Sequence, residues 1–241
     1  MPLIHIAAHV HARTDEHGNV VVLDTATGRW HVLNGTAAAF WCSWQAGHDL
    51  DSSAAAVAER FGVTEREQIR ADAGRLVGEL ARRGMVTVGQ ARAARRPPDR
   101  ALKVASAPAG SAGEGAARVL SVQAVACLLL AVALLRLPFR AVCGVVRAVR
   151  YPARMRPTGE QAAAFLAVVD RVASRYPGRA ACLERSLAVV LLAAVHARRL
   201  DWCLGAVADP YRFHAWVECA GSPVVTPAEE HPPGLLRVLC L

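Results

Sequence analysis

Between residues 90 and 117 the chain loses all apolar periodicity. It runs through Ala, Gly, Pro and Arg, with Arg95-Arg96-Pro97-Pro98 and Pro108-Ala109-Gly110-Ser111 as its clearest breaks. A stretch with no apolar face cannot lie inside a core. It therefore divides the 241 residues into segments 1–90 and 118–241, joined by a linker over 91–117. Each segment is long enough to bury a core of its own. A chain that is 54% hydrophobic is neither disordered nor collagen-like.

The formal net charge of +8 follows the same division: residues 1–90 carry −2, residues 91–158 carry +10 and residues 159–241 carry 0. A basic chain invites nucleic acid or a membrane surface, but here the surplus belongs to the middle of the chain. Seven cysteines (42, 127, 143, 182, 203, 219 and 240) form no CxxC pair. An odd count without a zinc or disulfide spacing predicts reduced thiols in a cytosol. The start Met1-Pro2-Leu3-Ile4-His5 lacks a signal-peptide pattern, so a cytoplasmic protein is expected.

In the first segment, residues 4–11, 19–24 and 29–33 predict strands, with a turn at His17-Gly18-Asn19. Asn34 before Gly35-Thr36 predicts a helix start. Asp51-Ser52-Ser53 predicts the cap of a second helix that ends at Phe61-Gly62. Ile69, Ala73, Leu76, Val77 and Leu80 give residues 65–83 a helical apolar face, and Met85–Val88 predicts a short strand. The expected order is β-β-β-α-α-α-β. His5, His9 and His11 fall on one face of the first predicted strand. They lack a fourth ligand nearby, so a polar outer face is expected and no metal site.

In the second segment, Val119–Leu135 is apolar between Arg118 and Arg136, and Pro138 separates it from a basic helix over Phe139–Arg150. At 17 residues the apolar run is slightly short of the ~20 that a bilayer core needs. A core helix is expected, with peripheral membrane contact by this pair of helices left open. Residues 160–175 and a stretch from Ala181-Cys182 to about Arg199 predict helices. Trp202–Ala208, Phe213–Cys219 and Pro223–Thr226 predict a small antiparallel sheet.

Cys182 opens a helix just after Pro177-Gly178, where the positive end of the helix dipole favours an anion. His214 lies 32 residues later on a strand reading His214-Ala215-Trp216-Val217-Glu218. A thiol at a helix start and an imidazole on a following strand are the parts of an activated nucleophile. The backbone N–H groups of that helix start could hold an oxyanion. The competing reading is a buried small hydrophobe and a packed strand histidine.

The order Pro177-Gly178-Arg179-Ala180-Ala181-Cys182-Leu183-Glu184-Arg185-Ser186-Leu187, then Gly205, then His214-Ala215-Trp216-Val217-Glu218, resembles the B protein of lasso-peptide biosynthesis. That family is a transglutaminase-like (papain-like) cysteine protease which removes the leader from a ribosomal precursor peptide. Leu137-Pro138-Phe139-Arg140 resembles the break after its first apolar helix, and the resemblance covers about residues 118–226. The first 90 residues resemble the PqqD-like RiPP recognition element, through Gly18-Asn19-Val20-Val21-Val22-Leu23-Asp24, Gly28, Leu33-Asn34-Gly35-Thr36-Ala37, Trp41 and Leu80 with Gly84-Met85-Val86. The resemblance implies a winged-helix-like module that takes a leader peptide as an added strand, between its third strand and third helix. The residues expected to meet the leader are Trp30, His31, Val32 and Leu33, with Arg75, Leu76, Glu79 and Arg83. The implied fold class is α+β, a recognition module joined to a cysteine protease domain.

Resembling enzymes complete the triad with an Asp on the strand after the histidine, and no Asp follows Asp209 here. Pairing the last two predicted strands across Ala220-Gly221 sets His214 opposite Pro227 and puts Glu229 on the histidine's face. Glu229 is therefore the expected third residue, with Thr226 and Asp209 as alternatives. Glu218 shares the face of Trp216 and His214. The missing Asp also leaves room for a leader-binding scaffold without catalysis. The resemblance implies two partners, the precursor and an asparagine-synthetase-like cyclase. It also implies an ATP requirement. No phosphate loop is present in this chain, so the nucleotide is expected on the cyclase and no cofactor on this protein. Residues 65–83 mix Glu65, Glu67, Asp72 and Glu79 with their arginines, which argues against a DNA-reading helix and against a nucleic-acid partner.

Overall fold

The computed structural model describes residues 3–62, 64–89, 114–153, 155–208, 210–226 and 234–241. The chain divides into two compact units, Met1–Arg100 and Ala101–Leu241.

The first unit contains β1 (Leu3–Ile6), β2 (Val10–Thr14), β3 (Val20–Asp24), β4 (Arg29–Leu33), α1 (Gly35–Gln45), α2 (Leu50–Phe61), α3 (Arg66–Arg82) and β5 (Val86–Gly89). The strand expected over 4–11 is broken in two. β1 pairs with β5, whereas β2 joins the antiparallel sheet β2-β3-β4. At the break the Ala7 N–H reaches the Met85 carbonyl and the Val10 N–H turns back on Ala7. His5, His9 and His11 therefore lie on β1, the connection and β2, not on one strand face. The turn at 17–19 forms as expected: Asp15 Oδ1 accepts the N–H groups of His17 and Asn19, and Gly18 takes a positive φ of 79°.

Asn34 caps α1 through the Ala37 N–H, as read from the sequence. The cap of α2 is Asp49, whose side chain accepts the Ser52 N–H, rather than Asp51-Ser52-Ser53. An Asx cap bonds the N–H groups two or three residues on, and from Asp49 that donor is Ser52. Phe40, Trp41 and Trp44 of α1, Ile69, Ala73 and Leu80 of α3, and Val20 and Val22 of β3 build one apolar core with Met85. Val21 and Leu23 are also buried, on the opposite sheet face, where they pair with Val32 and Trp30 of β4.

The second unit contains α4 (Glu114–Leu134), α5 (Phe139–Arg150), α6 (Gly159–Ala173), α7 (Cys182–Val195), β6 (Asp201–Val207), β7 (Arg212–Cys219), β8 (Ser222–Pro223) and β9 (Leu236–Cys240). Seven consecutive residues of α7, Leu187–Ala193, are buried, which makes it the central helix. It packs against α4, α6 and β7. α6 starts with a full capping box between Thr158 and Gln161. The sheet order is β8-β7-β6-β9, antiparallel throughout.

Three differences from the sequence expectation matter. α4 begins at Glu114, five residues before the expected start, and its window Ala117–Leu134 is long and apolar enough to cross a membrane by length and composition. One side of it is core (Ala124, Cys127, Leu128, Ala131), while Val119, Val122, Val125, Leu129 and Leu130 are exposed. It is thus a core helix on one face only. The register expected across Ala220-Gly221 holds, with Glu218 opposite Pro223, yet the ladder stops there. Pro223 offers no N–H, and after the Val224 N–H bonds the Val217 carbonyl the chain leaves the sheet. Finally, β9 pairs with β6 along the edge opposite β7, a strand that local pattern did not reveal.

Candidate functional site

In the second unit Cys182 is the first residue of α7 and His214 lies on β7. Both line one cleft that is open to solvent. Leu166, Val217 and Val224 supply its apolar wall, and Arg185 and Ser186 its polar one. The Ala181 N–H before the helix is taken by the Glu184 carboxylate at 2.9 Å. Ala181 has no side-chain oxygen to return the bond, so only half a capping box forms. The N–H groups of the next residues, Cys182 onwards, are the ones a helix start leaves without intrahelical partners. They can stabilise an oxyanion beside the thiol.

Two contacts hold this corner of α7. Arg185 donates through Nε and a terminal nitrogen to Asp170 of α6, at 2.9 and 2.7 Å. Ser186, one turn beyond Cys182 and buried, accepts the Trp202 indole N–H at 2.9 Å. Both residues stood in the quoted motif, but a motif does not show which distant residue each would meet.

His214 is positioned by its own strand. Alternation puts His214, Trp216 and Glu218 in one row. The Trp216 indole lies nearly parallel to the imidazole, with ring centres 6.2 Å apart and planes 12° from each other. Its N–H donates to Glu218 Oε1 at 3.0 Å, and Arg237 of β9 ion-pairs with the other oxygen of Glu218. Glu218 is buried, so its charge needs that partner. Gly205 of β6 sits directly opposite His214. A Cβ there would lie 2.1 Å from the Leu236 carbonyl oxygen and 2.9 Å from the Trp216 ring, so glycine is what lets β9 and the indole close over this point. Strand alternation alone puts Glu218 on the face of His214. Its partner Arg237 is not legible there, because no local pattern marks β9. Glu229 and Asp209 lie outside the described residues, and Thr226 lies beyond the end of the ladder.

In the first unit, β4 has a strand partner on one side only among the described strands. Its other edge is where a peptide could add main-chain hydrogen bonds. His31 and Leu33 pair with the core-facing Val22 and Val20, while Trp30 and Val32 pair with Leu23 and Val21 on the other face. The eight expected contact residues are thus split. His31 and Arg83 meet, with Nδ1 3.3 Å from the guanidinium, and Arg83 is held by Glu79 at 2.7 Å. Leu33 and Leu76 both pack on the helical core. Arg75 instead bonds Asp72 on the exposed side of α3. Partial burial, and then the Arg83 charge, hold the His31 imidazole below its ordinary pKa. The Arg82 and Arg83 guanidiniums likewise hold the Glu79 carboxyl below the usual range.

Residues 19–86 match the family model of Coenzyme PQQ synthesis protein D (PqqD), and residues 124–233 match that of the Transglutaminase-like superfamily. The chain is therefore an α+β fusion of a PqqD-type recognition domain with a transglutaminase-like domain. A recognition domain of the first kind and a domain of the second, in this order, match the description of the fused B protein of lasso-peptide biosynthesis that the motifs resemble. Precursor-peptide binding and a protease-like role are the functions this pairing supports. No curated protein and no solved structure matches the chain.

Proposed function

We propose that this protein is the leader peptidase of a lasso-peptide pathway. The observation that carries the reading is that Cys182, at the start of α7, and His214, on β7, line one cleft. In this reading the Cys182 sulfur attacks the scissile carbonyl carbon while His214 takes the thiol proton. The oxyanion is met by the N–H groups at the helix start. The tetrahedral adduct collapses as His214 gives its proton to the leaving amine, which frees the core peptide and leaves the leader as a thioester on Cys182. His214 then deprotonates a water, the thioester is hydrolysed, and the leader departs with a carboxylate end. Trp216, braced by Glu218 and Arg237, keeps the imidazole plane from turning away.

The leader would bind as a strand beside β4, over His31, Leu33, Leu76, Glu79 and Arg83. An asparagine-synthetase-like cyclase would take the freed amine, with any ATP bound there and no cofactor on this chain. We place the protein in the cytoplasm. Peripheral membrane contact would fall on the exposed apolar side of α4 and the neighbouring Arg140 and Arg147 of α5.

Incubating precursor and cyclase with the protein tests this reading. Wild type should yield separate leader and core masses, and Cys182→Ala should yield neither while binding the leader as tightly. Leader binding without cleavage by either protein would identify a scaffold instead.

A further inference from the structure

We propose that Cys203 and Cys240 are a modification site, closing an intramolecular disulfide that staples the C-terminal strand to the sheet. The two are direct partners in the β6–β9 register, and their sulfurs lie 3.0 Å apart. Directly opposed residues in an antiparallel pair have Cα atoms ~4.5–5.5 Å apart, inside the ~4.4–6.8 Å that a disulfide spans. Cys203 is buried and Cys240 is exposed, so one thiol can meet an oxidant and the other can reach only its neighbour.

Their surroundings set the order of events. The Cys203 thiol donates to the Cys240 sulfur, and that bond holds Cys240 below the ordinary thiol range. The same bond, with burial, pushes Cys203 up. With Cys240 at the surface and Cys203 buried behind it, Cys240 is the attacking sulfur and Cys203 the resolving one. The oxidant is a low-molecular-weight disulfide. Cys240 attacks one of its sulfurs, forming a mixed disulfide and releasing one thiolate. Cys203 loses its proton and attacks the Cys240 sulfur, which breaks the mixed disulfide and releases the second thiol. The protein gives up two electrons and two protons, and the small disulfide becomes two thiols.

The carboxylate of Glu218 completes a group of three possible metal ligands with these sulfurs, all within 4.8 Å of one another. Its two oxygens are already taken by the Trp216 indole and the Arg237 guanidinium. A cation held at that carboxylate opposes a second one, so the thiol pair suits oxidation better than a metal. The cross-link matters because β9 carries Arg237, and β9 meets the sheet through β6 alone among the described strands. Fixing Cys240 fixes the strand that braces Glu218 and, through Trp216, His214. The expectation of seven reduced thiols then narrows to five.

The test uses the full chain and oxidised glutathione, and does not depend on peptidase activity. A digest of the oxidised wild type without reductant should yield residues 200–212 linked to 238–241, about 2 Da below the sum of the two peptides and with glutathione on neither. Cys203→Ser should instead keep one glutathionyl group on Cys240. The oxidised wild type should melt on the order of 10 °C above the reduced form, as expected for closing a loop of this length. Labelling of both cysteines by an alkylating agent in denaturant, after full oxidation, would overturn the proposal. So would one equivalent of zinc bound through both thiols, or an oxidised form that melts no higher than the reduced one.

Discussion

Replacing Gly205 by alanine should unseat β9. The added methyl would meet the Leu236 carbonyl oxygen at 2.1 Å, where ordinary contact begins near 3.4 Å, so the strand must retreat by roughly 1.3 Å. The neighbour is backbone and cannot swing aside as a side chain would. A retreat of that size carries ladder bonds of ordinary ~2.9 Å length beyond hydrogen-bond reach. Two such bonds at ~1 kcal/mol each, with ~1–3 kcal/mol for overpacking, give a loss of about 3–5 kcal/mol. For a unit of this size the melting temperature falls by roughly 10 °C. The same methyl would press the Trp216 ring, so the damage reaches the imidazole's neighbour. Circular-dichroism melting measures the loss of stability, and amide exchange of residues 236–241 measures the unseating of β9 as lost protection. A variant within ~0.5 kcal/mol of wild type, with β9 amides as protected as before, would show that β9 does not need the space glycine leaves at position 205.

Glu218→Leu leaves the buried Trp216 indole N–H without its acceptor, and urea unfolding should show a loss of ~1–3 kcal/mol. Glu218→Gln keeps an acceptor and should lose clearly less; equal losses would contradict the assigned hydrogen bond. In an NMR titration His31 should protonate with a midpoint below 6.5, and Arg83→Gln should move it up only part of the way, since burial is the larger cause. Because the native imidazole takes its proton below 6.5, the unfolded chain binds more protons in that window, and the first unit should lose stability as pH falls through it. Unchanged midpoints in both proteins would remove the His31–Arg83 coupling. Leader titrations should weaken on the order of tenfold for Leu76→Ala, and less for Trp30→Ala, whose side chain lies on the other face of the sheet. The reverse ranking would put the peptide on that other face.

Local signals carried much of this fold. Asn34, Gly62, Gly84 and the apolar spacing of residues 69–80 placed α1, α2 and α3 within a residue or two, because caps and helical stripes act over one or two turns. The Cys182 helix start and the His214 strand were legible for the same reason, and the motif supplied their order. What stayed hidden depends on distant partners. The run from 4 to 11 reads as one strand by alternation, yet β5, some 80 residues on, captures its first half. β9 is a five-residue apolar strand at the end of the chain, and nothing near it announces β6 as its neighbour. Without β9, the Arg237–Glu218 pair and the Cys203–Cys240 contact cannot be read. Net charge by segment also says nothing of which charges are exposed. Arg150 is half-buried and paired with Asp201, and Arg156 lies near the same carboxylate, so part of the basic surplus in the middle of the chain is internal structure rather than free surface.

If Cys182 carries the leader as a thioester, the adduct can be caught on the protein. A single-turnover reaction with the precursor is quenched in acid, and the tryptic peptide 180–185 is weighed. This peptide should carry the leader's mass, hydroxylamine should remove it, and Cys182→Ala should form neither adduct nor product. Precursor cleaved at the wild-type rate by Cys182→Ala, with residues 180–185 of the wild type unmodified throughout, would contradict a thioester on Cys182.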